Sequence, residues 1–124
     1  MKKFLNLTIL SAILIFSMAL MPAHKAKKPF TSVGLYVANG SNYPGSISVS
    51  GASYLSGPFL SSTLTYIGNI NTGDYYNVTV NCTQPGTWVY GFPGKSNIVS
   101  SSGSATFTNV TVTGSVTATI YHAP

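Results

Sequence analysis

Beyond the first thirty residues, apolar side chains recur at every second position, in short runs separated by Gly, Pro, Asn and Ser, and no stretch shows helical three-and-four spacing. Period two is the repeat of a strand with one face turned inward, so this part of the chain is expected to bury itself as sheet. Val33, Leu35 and Val37 alternate with Gly34, Tyr36 and Ala38 up to a turn at Asn39–Gly40. Ile47 and Val49 alternate with serines until Gly51, and a looser segment around Gly57–Pro58 precedes a strand opened by Leu64 and Tyr66. Tyr76, Val78, Val80 and Cys82 share one face, which sets Tyr75, Asn77, Thr79, Asn81 and Thr83 on the other. Trp88, Tyr90 and Phe92 share a face until Pro93–Gly94. Phe107 to Val112 then leads through Thr113–Gly114 to an inward set of Val116, Ala118 and Ile120.

About seven short strands with turn signals between them predict an all-β fold, a single small antiparallel β-sandwich. Phe107 and Val110 are out of phase with each other, which predicts a bulge or bend near Thr108–Asn109. Lys95 to Ser104 reads as a serine-rich loop held down by Ile98 and Val99.

The N-terminus has a different pattern. Lys2 and Lys3 precede an apolar run from Phe4 to Met21, followed by Pro22, Ala23, His24, Lys25 and Ala26. A charged start, an apolar middle and a small-residue boundary are the parts of an export signal. Residues 1–26 are therefore expected to be a signal peptide, cut after Ala23 or Ala26, with residues 27–124 forming the sandwich domain. The alternative is an uncleaved membrane anchor, since 18 residues is near the lower limit for a span. The expected location is secreted, periplasmic or at the cell surface.

Charge excludes much of what remains. Asp74 is the only carboxylate of the 124 residues, and the chain has no glutamate and no arginine. Paired-carboxylate acid–base catalysis, arginine forks for phosphate and hard-cation cages all require groups that are missing here. The formal charge of +5 is concentrated in the N-terminal segment. Cutting after Ala26 leaves Lys27, Lys28 and Lys95 against Asp74, a net charge of +2 and no basic patch for nucleic acid. A surface solubilised by hydroxyls and amides also lacks the lysines that usually blunt strand edges, so self-association through those edges is expected.

The chemically capable groups are few. Cys82, His122 and Asp74 are the only nucleophile, base and orienting acid on offer, and a frayed C-terminus holds such geometry poorly. One histidine and one aspartate in the mature part are too few for a metal site. Neither catalysis nor a cofactor is expected. Cys82, the only cysteine, alternates with Val78 and Val80 and is expected inside as a small hydrophobe. Asn77, Asn81 and Asn109 match the N-glycosylation acceptor pattern, at a frequency this Asn/Thr-rich composition produces by chance. The aromatic row Trp88, Tyr90 and Phe92 is expected to fill the core. Its alternative is an exposed platform on which sugars stack, with Trp88, Tyr90, Tyr75 and Tyr121 as the glycan-binding residues; Tyr75 and Tyr121 are expected at the surface.

The segment Asn69-Ile70-Asn71-Thr72-Gly73-Asp74-Tyr75-Tyr76-Asn77-Val78-Thr79-Val80 resembles the transthyretin-like, or carboxypeptidase-regulatory-like, β-sandwich domains, in which a glycine–tyrosine step leads into an alternating valine strand. The closing hairpin from Ala105 to Tyr121 is similar to their last two strands. The resemblance covers about half of the mature chain and departs from the family pattern where an acidic turn before the glycine is missing; a plain immunoglobulin-like sandwich is the competing arrangement. Either implies an accessory, adhesive or structural module. The expected function is therefore an exported, non-enzymatic structural or adhesive protein of the cell surface, with a small carbohydrate-binding module as the alternative and surface glycans as its partners.

Overall fold

The structure, a computed structural model, describes residues 29–123, so the expected signal segment lies outside the described residues. Nine strands follow one another: β1 (Ser32–Asn39), β2 (Gly45–Gly51), β3 (Leu55–Phe59), β4 (Leu64–Asn71), β5 (Gly73–Cys82), β6 (Thr87–Gly91), β7 (Ile98–Ser100), β8 (Ser104–Val112) and β9 (Val116–Ala123). They form two sheets, ordered β4-β1-β9-β6-β7 and β3-β2-β5-β8, packed as an all-β sandwich.

Two strands go beyond the expected seven. β3 spans the loose Gly57–Pro58 segment, and β7 lies in the serine-rich loop, where Val99 pairs with Val89. β8 and β9 lie in opposite sheets and so do not form the closing hairpin expected from Ala105 to Tyr121; β9 pairs instead with β6 and, in parallel, with β1, where Val37 lies opposite Ala118. β1 and β2 lie in opposite sheets. That separates this strand order from the immunoglobulin one, in which the first two strands pair within one sheet.

The core is the set of inward faces. Leu35, Val37, Ile70, Trp88, Tyr90, Ala118 and Ile120 from the five-stranded sheet meet Ile47, Val49, Phe59, Val78, Val80, Phe107, Val110 and Val112 from the four-stranded one. Buried aromatics with polar tips need partners for them. The Trp88 indole N–H donates to the Gln84 carbonyl at 3.0 Å, and the Tyr90 hydroxyl donates to the Gly103 carbonyl at 2.7 Å.

Alternation breaks at three points, and each break decides which side chains reach solvent. In β5, Ser50 of β2 lies opposite Asn77 while the next residue, Gly51, lies opposite Tyr75, so Tyr76 is an extra residue. The strand's phase flips there. Tyr75 is buried at 1% exposure and Tyr76 stands out at 72%, the reverse of the expected assignment. The inserted residue changes the parity between Val78 and the tyrosines, and alternation carried back from Val78 cannot register it. Gly51 makes this possible. Its φ is 151°, and a β-carbon there would stand 2.5 Å from the Tyr75 α-carbon.

β8 flips phase at the same level. Asn109 has φ 53°, with Thr108 and Asn109 both exposed between buried Phe107 and Val110. The expected irregularity near Thr108–Asn109 is thus present, and it keeps β8 in register with β5 on both sides of Tyr76. The third break is in β4, where Leu35 faces Gly68 and Tyr36 faces Tyr66, leaving Ile67 as the extra residue. Ile67 packs against the core, while Leu64 and Tyr66 point into solvent.

Candidate functional site

The aromatic row lies in the interior. Trp88 and Tyr90 are fully buried and Phe92 nearly so, because β6 is a central strand between β9 and β7 with its aromatic side facing the other sheet. The Trp88 ring stacks on Tyr90 with centroids 6.1 Å apart, lies 4.5 Å from the His122 ring and meets Tyr43 edge-on at 6.1 Å. It is not a surface platform. Of the four residues considered for a glycan, Trp88, Tyr90 and Tyr75 are enclosed and Tyr121 alone is exposed. The expectation that Tyr75 is at the surface is corrected by the β5 bulge: its hydroxyl donates to the Asn71 carbonyl at 2.8 Å and pairs with Ser53.

The three chemically capable groups are spread out. Asp74 and Cys82 occupy opposite ends of β5, eight residues apart, or roughly 26 Å at about 3.3 Å per residue. Asp74 accepts a hydrogen bond from the Thr111 hydroxyl at 2.9 Å. Cys82 is a buried free cysteine, as alternation with Val78 and Val80 implies. Burial pushes its thiol pKa above the usual value, and the neighbouring Tyr90 hydroxyl offsets part of that rise. The Tyr90 phenol is likewise pushed up, by its own burial and then by the neighbouring sulfur. His122 lies against Trp88 and Tyr43, and its Nε2 is enclosed with no hydrogen-bond partner among the described residues. These surroundings favour proton retention on sulfur and do not assemble a nucleophile with its base.

On the outer face of the four-stranded sheet, cross-strand pairing forms three rows: Ser46–Asn81–Ser104, Ser48–Thr79–Thr106 and Ser50–Asn77–Thr108. Ser104 donates to the Asn81 amide oxygen at 2.7 Å, and the Thr79 and Thr106 hydroxyls are 3.1 Å apart. Asn77, Asn81 and Asn109 are all exposed. Asp74, at one margin of this sheet, and Lys95, between β6 and β7, are the only Asp or Lys among the described residues.

The outer face of the five-stranded sheet differs. Tyr36 and Tyr66 face each other across β1 and β4 with ring centroids 5.2 Å apart, and the Tyr66 hydroxyl donates to Asn69 at 2.7 Å. Farther along, Leu64 and Tyr121 flank a groove of about 250 Å³ lined also by Ala38, Asn39, Gly40, Ser62 and Thr63.

One buried amide holds that groove in shape. The Asn39 Nδ2 donates to the carbonyls of Tyr43 at 2.7 Å and Leu60 at 3.0 Å. Its Oδ1 accepts from the Ser41 N–H at 3.0 Å and the Ser41 hydroxyl at 2.8 Å. Asn39 thereby ties the β1–β2 loop to the β3–β4 loop. Ser62, at φ 51°, closes the second loop by donating its N–H to the Ser41 carbonyl at 2.8 Å. Sequence reasoning missed this groove and the Tyr36–Tyr66 pair. The outward phase of Tyr36 in β1 was a usable signal, but Leu64 and Tyr66 follow the pattern of an inward pair until the Ile67 bulge is known.

Compared with protein-family models, curated proteins and solved structures, the chain matches none.

Proposed function

We propose that this chain is an exported structural or adhesive module of the cell surface that works through neutral contacts and has no enzymatic activity. The observation that carries this reading is the character of its two broad faces, one a grid of hydroxyls and amides and the other a set of tyrosines and aliphatics. Asp74 stands at a margin of the first face and Lys95 in a connection. Such faces hold a neighbour by stacking, methyl contact and neutral hydrogen bonds, which salt screens little. Membership among the transthyretin-like modules belongs to the same proposal, supported by the Gly73–Val80 segment forming most of one interior strand, β5.

The test is location together with salt response. Fractionation and surface labelling of the native host should find the chain outside the cytoplasm, starting at His24 or Lys27. Its attachment to the envelope should change less than about twofold between low and molar salt. A cytoplasmic chain, or attachment abolished by salt, would refute the reading.

A second reading is supported by the groove between Leu64 and Tyr121. An exposed tyrosine ring beside Ser62 and Thr63 provides a stacking surface and hydroxyl partners, the chemistry that recognises a neutral sugar. Here Tyr121→Ala should abolish glycan retention on an array or polysaccharide column while leaving the unfolding midpoint nearly unchanged. Equal retention by the variant would exclude this site.

A further inference from the structure

We infer that β8 is a docking edge for a second copy of this chain, and that the two copies pair antiparallel about a two-fold axis at Thr106. The inference rests on the surface-module reading and specifies one of its contacts.

The four sheet edges are not equivalent. β3 is five residues long and carries Pro58, which has no N–H to offer. β7 has three residues. β4 is broken by the Ile67 bulge, and Leu55 leans over its Gly68. β8 has nine residues, no proline and no charged side chain, with β5 on one side and, among the described residues, no strand on the other. Proteins usually blunt such an edge with lysine, proline or a bulge. Here the single irregularity, at Asn109, leaves Ser104–Thr108 as a regular five-residue stretch.

Hydrogen-bond parity identifies the groups that point outward. The Cys82 N–H donates to the Gly103 carbonyl at 2.7 Å. Bonding alternates along an antiparallel pair, so Ala105 and Phe107 also direct their backbone groups at β5. Ser104, Thr106 and Thr108 therefore direct theirs at the open edge. If Thr106 pairs with its own symmetry mate, Ser104 pairs with Thr108 of the second copy and Thr108 with its Ser104. All three pairs then use outward-pointing groups, and every side-chain pair on the outer face joins two hydroxyls, a favourable cross-strand combination. Ala105 meets Phe107 on the inner side. With the axis one residue away, at Ala105 or Phe107, only two such outward pairs would fall within Ser104–Thr108, and a one-residue slip in the pairing would set outward groups against groups already bonded to β5.

Among the described residues no charge opposes the contact, because Asp74 pairs with Thr111 beyond the Asn109 kink and Lys95 lies between β6 and β7. An isologous pairing of this kind closes as a dimer and joins two four-stranded sheets into one of eight. A five-residue ladder is smaller than a standard interface, so the dimer should form reversibly with concentration.

The test uses the full chain, exported and purified, in sedimentation and light scattering over a wide concentration range. Wild type should pass from monomer to dimer. Thr106→Pro, which deletes an outward N–H, and Thr106→Lys, which places two like charges at the axis, should each raise the dimer dissociation constant at least tenfold. Unchanged Trp88 emission and circular dichroism should show that both variants fold. Thr106→Cys should crosslink to itself with a short bismaleimide, whereas Ser48→Cys, two strands away on the same face, should not. A wild type that stays monomeric throughout overturns the pairing but leaves the localisation test of the surface reading standing. Association that survives both Thr106 substitutions overturns the β8 assignment and moves self-association to another surface.

Discussion

Replacing Trp88 by alanine tests the arrangement of the core most directly. The indole is fully buried, stacked on Tyr90, 4.5 Å from His122, and donates its N–H to the Gln84 carbonyl. Removing a buried tryptophan to alanine costs about 3–5 kcal/mol through lost transfer energy and the cavity left behind. The lost hydrogen bond adds about 0.5–1.5 kcal/mol, at the lower end because Gln84 is exposed and its carbonyl can be rehydrated. A domain of this size has a total stability of roughly 5–15 kcal/mol. Trp88→Ala should therefore cost about 3.5–5.5 kcal/mol, a quarter of the stability or more, lowering the melting temperature by roughly 14–44 °C at about 4–8 °C per kcal/mol. Trp88→Phe, which keeps most of the ring and loses the N–H, should cost less than half as much. Urea and thermal unfolding followed by far-ultraviolet circular dichroism measure both, since the variants have no tryptophan. Wild-type emission should be blue-shifted and poorly quenched by acrylamide. An alanine variant within about 1 kcal/mol of wild type, or an indole open to acrylamide, would refute the buried placement and reopen the aromatic row as a binding platform.

The β5 bulge predicts that neighbouring tyrosines differ: Tyr75→Phe should cost about 1 kcal/mol by removing the hydroxyl bonded to Asn71 and Ser53, whereas Tyr76→Phe should leave the unfolding midpoint unchanged. Gly51→Ala should destabilise by about 1–3 kcal/mol in the same assay, because its φ of 151° and the 2.5 Å approach to Tyr75 leave no room for a methyl group. Cys82 should react slowly with thiol reagents in the native protein and rapidly in denaturant, and prompt native labelling would contradict its burial. The fold raises the pKa values of Cys82 and Tyr90, so their stabilising contribution is complete below the unfolded values of 9.0 and 10.0 and is lost as pH rises through that region towards the folded values. Unfolding free energy should accordingly fall above pH 9 less steeply in Tyr90→Phe than in wild type, and equal slopes would refute the assignment.

Alternation of apolar residues alone identifies an all-β chain and most of its inward faces, because sheet formation and burial act on the same period-two pattern from β1 to β9. It places Leu35, Val37, Val78, Val80, Cys82, Trp88 and Tyr90 inside, where the structure has them. The near-absence of charge, also read directly from the residues, marks the chain as one whose surface contacts are neutral. Parity beyond a bulge was not legible. One inserted residue reverses every side chain that follows it, and whether a residue is inserted depends on the partner strand. Tyr75 is buried because Gly51 of β2 lets the extra Tyr76 through, and Leu64 and Tyr66 are exposed because β1 skips Ile67. The surfaces on which the functional proposals rest also come from strand order. The hydroxyl grid exists because β2, β5 and β8 lie side by side, and the groove beside Tyr121 exists because Asn39 draws two distant loops together. These are contacts between residues far apart in the chain. No local pattern contains them, since the free energy that selects them arises only when the two sheets close on one another.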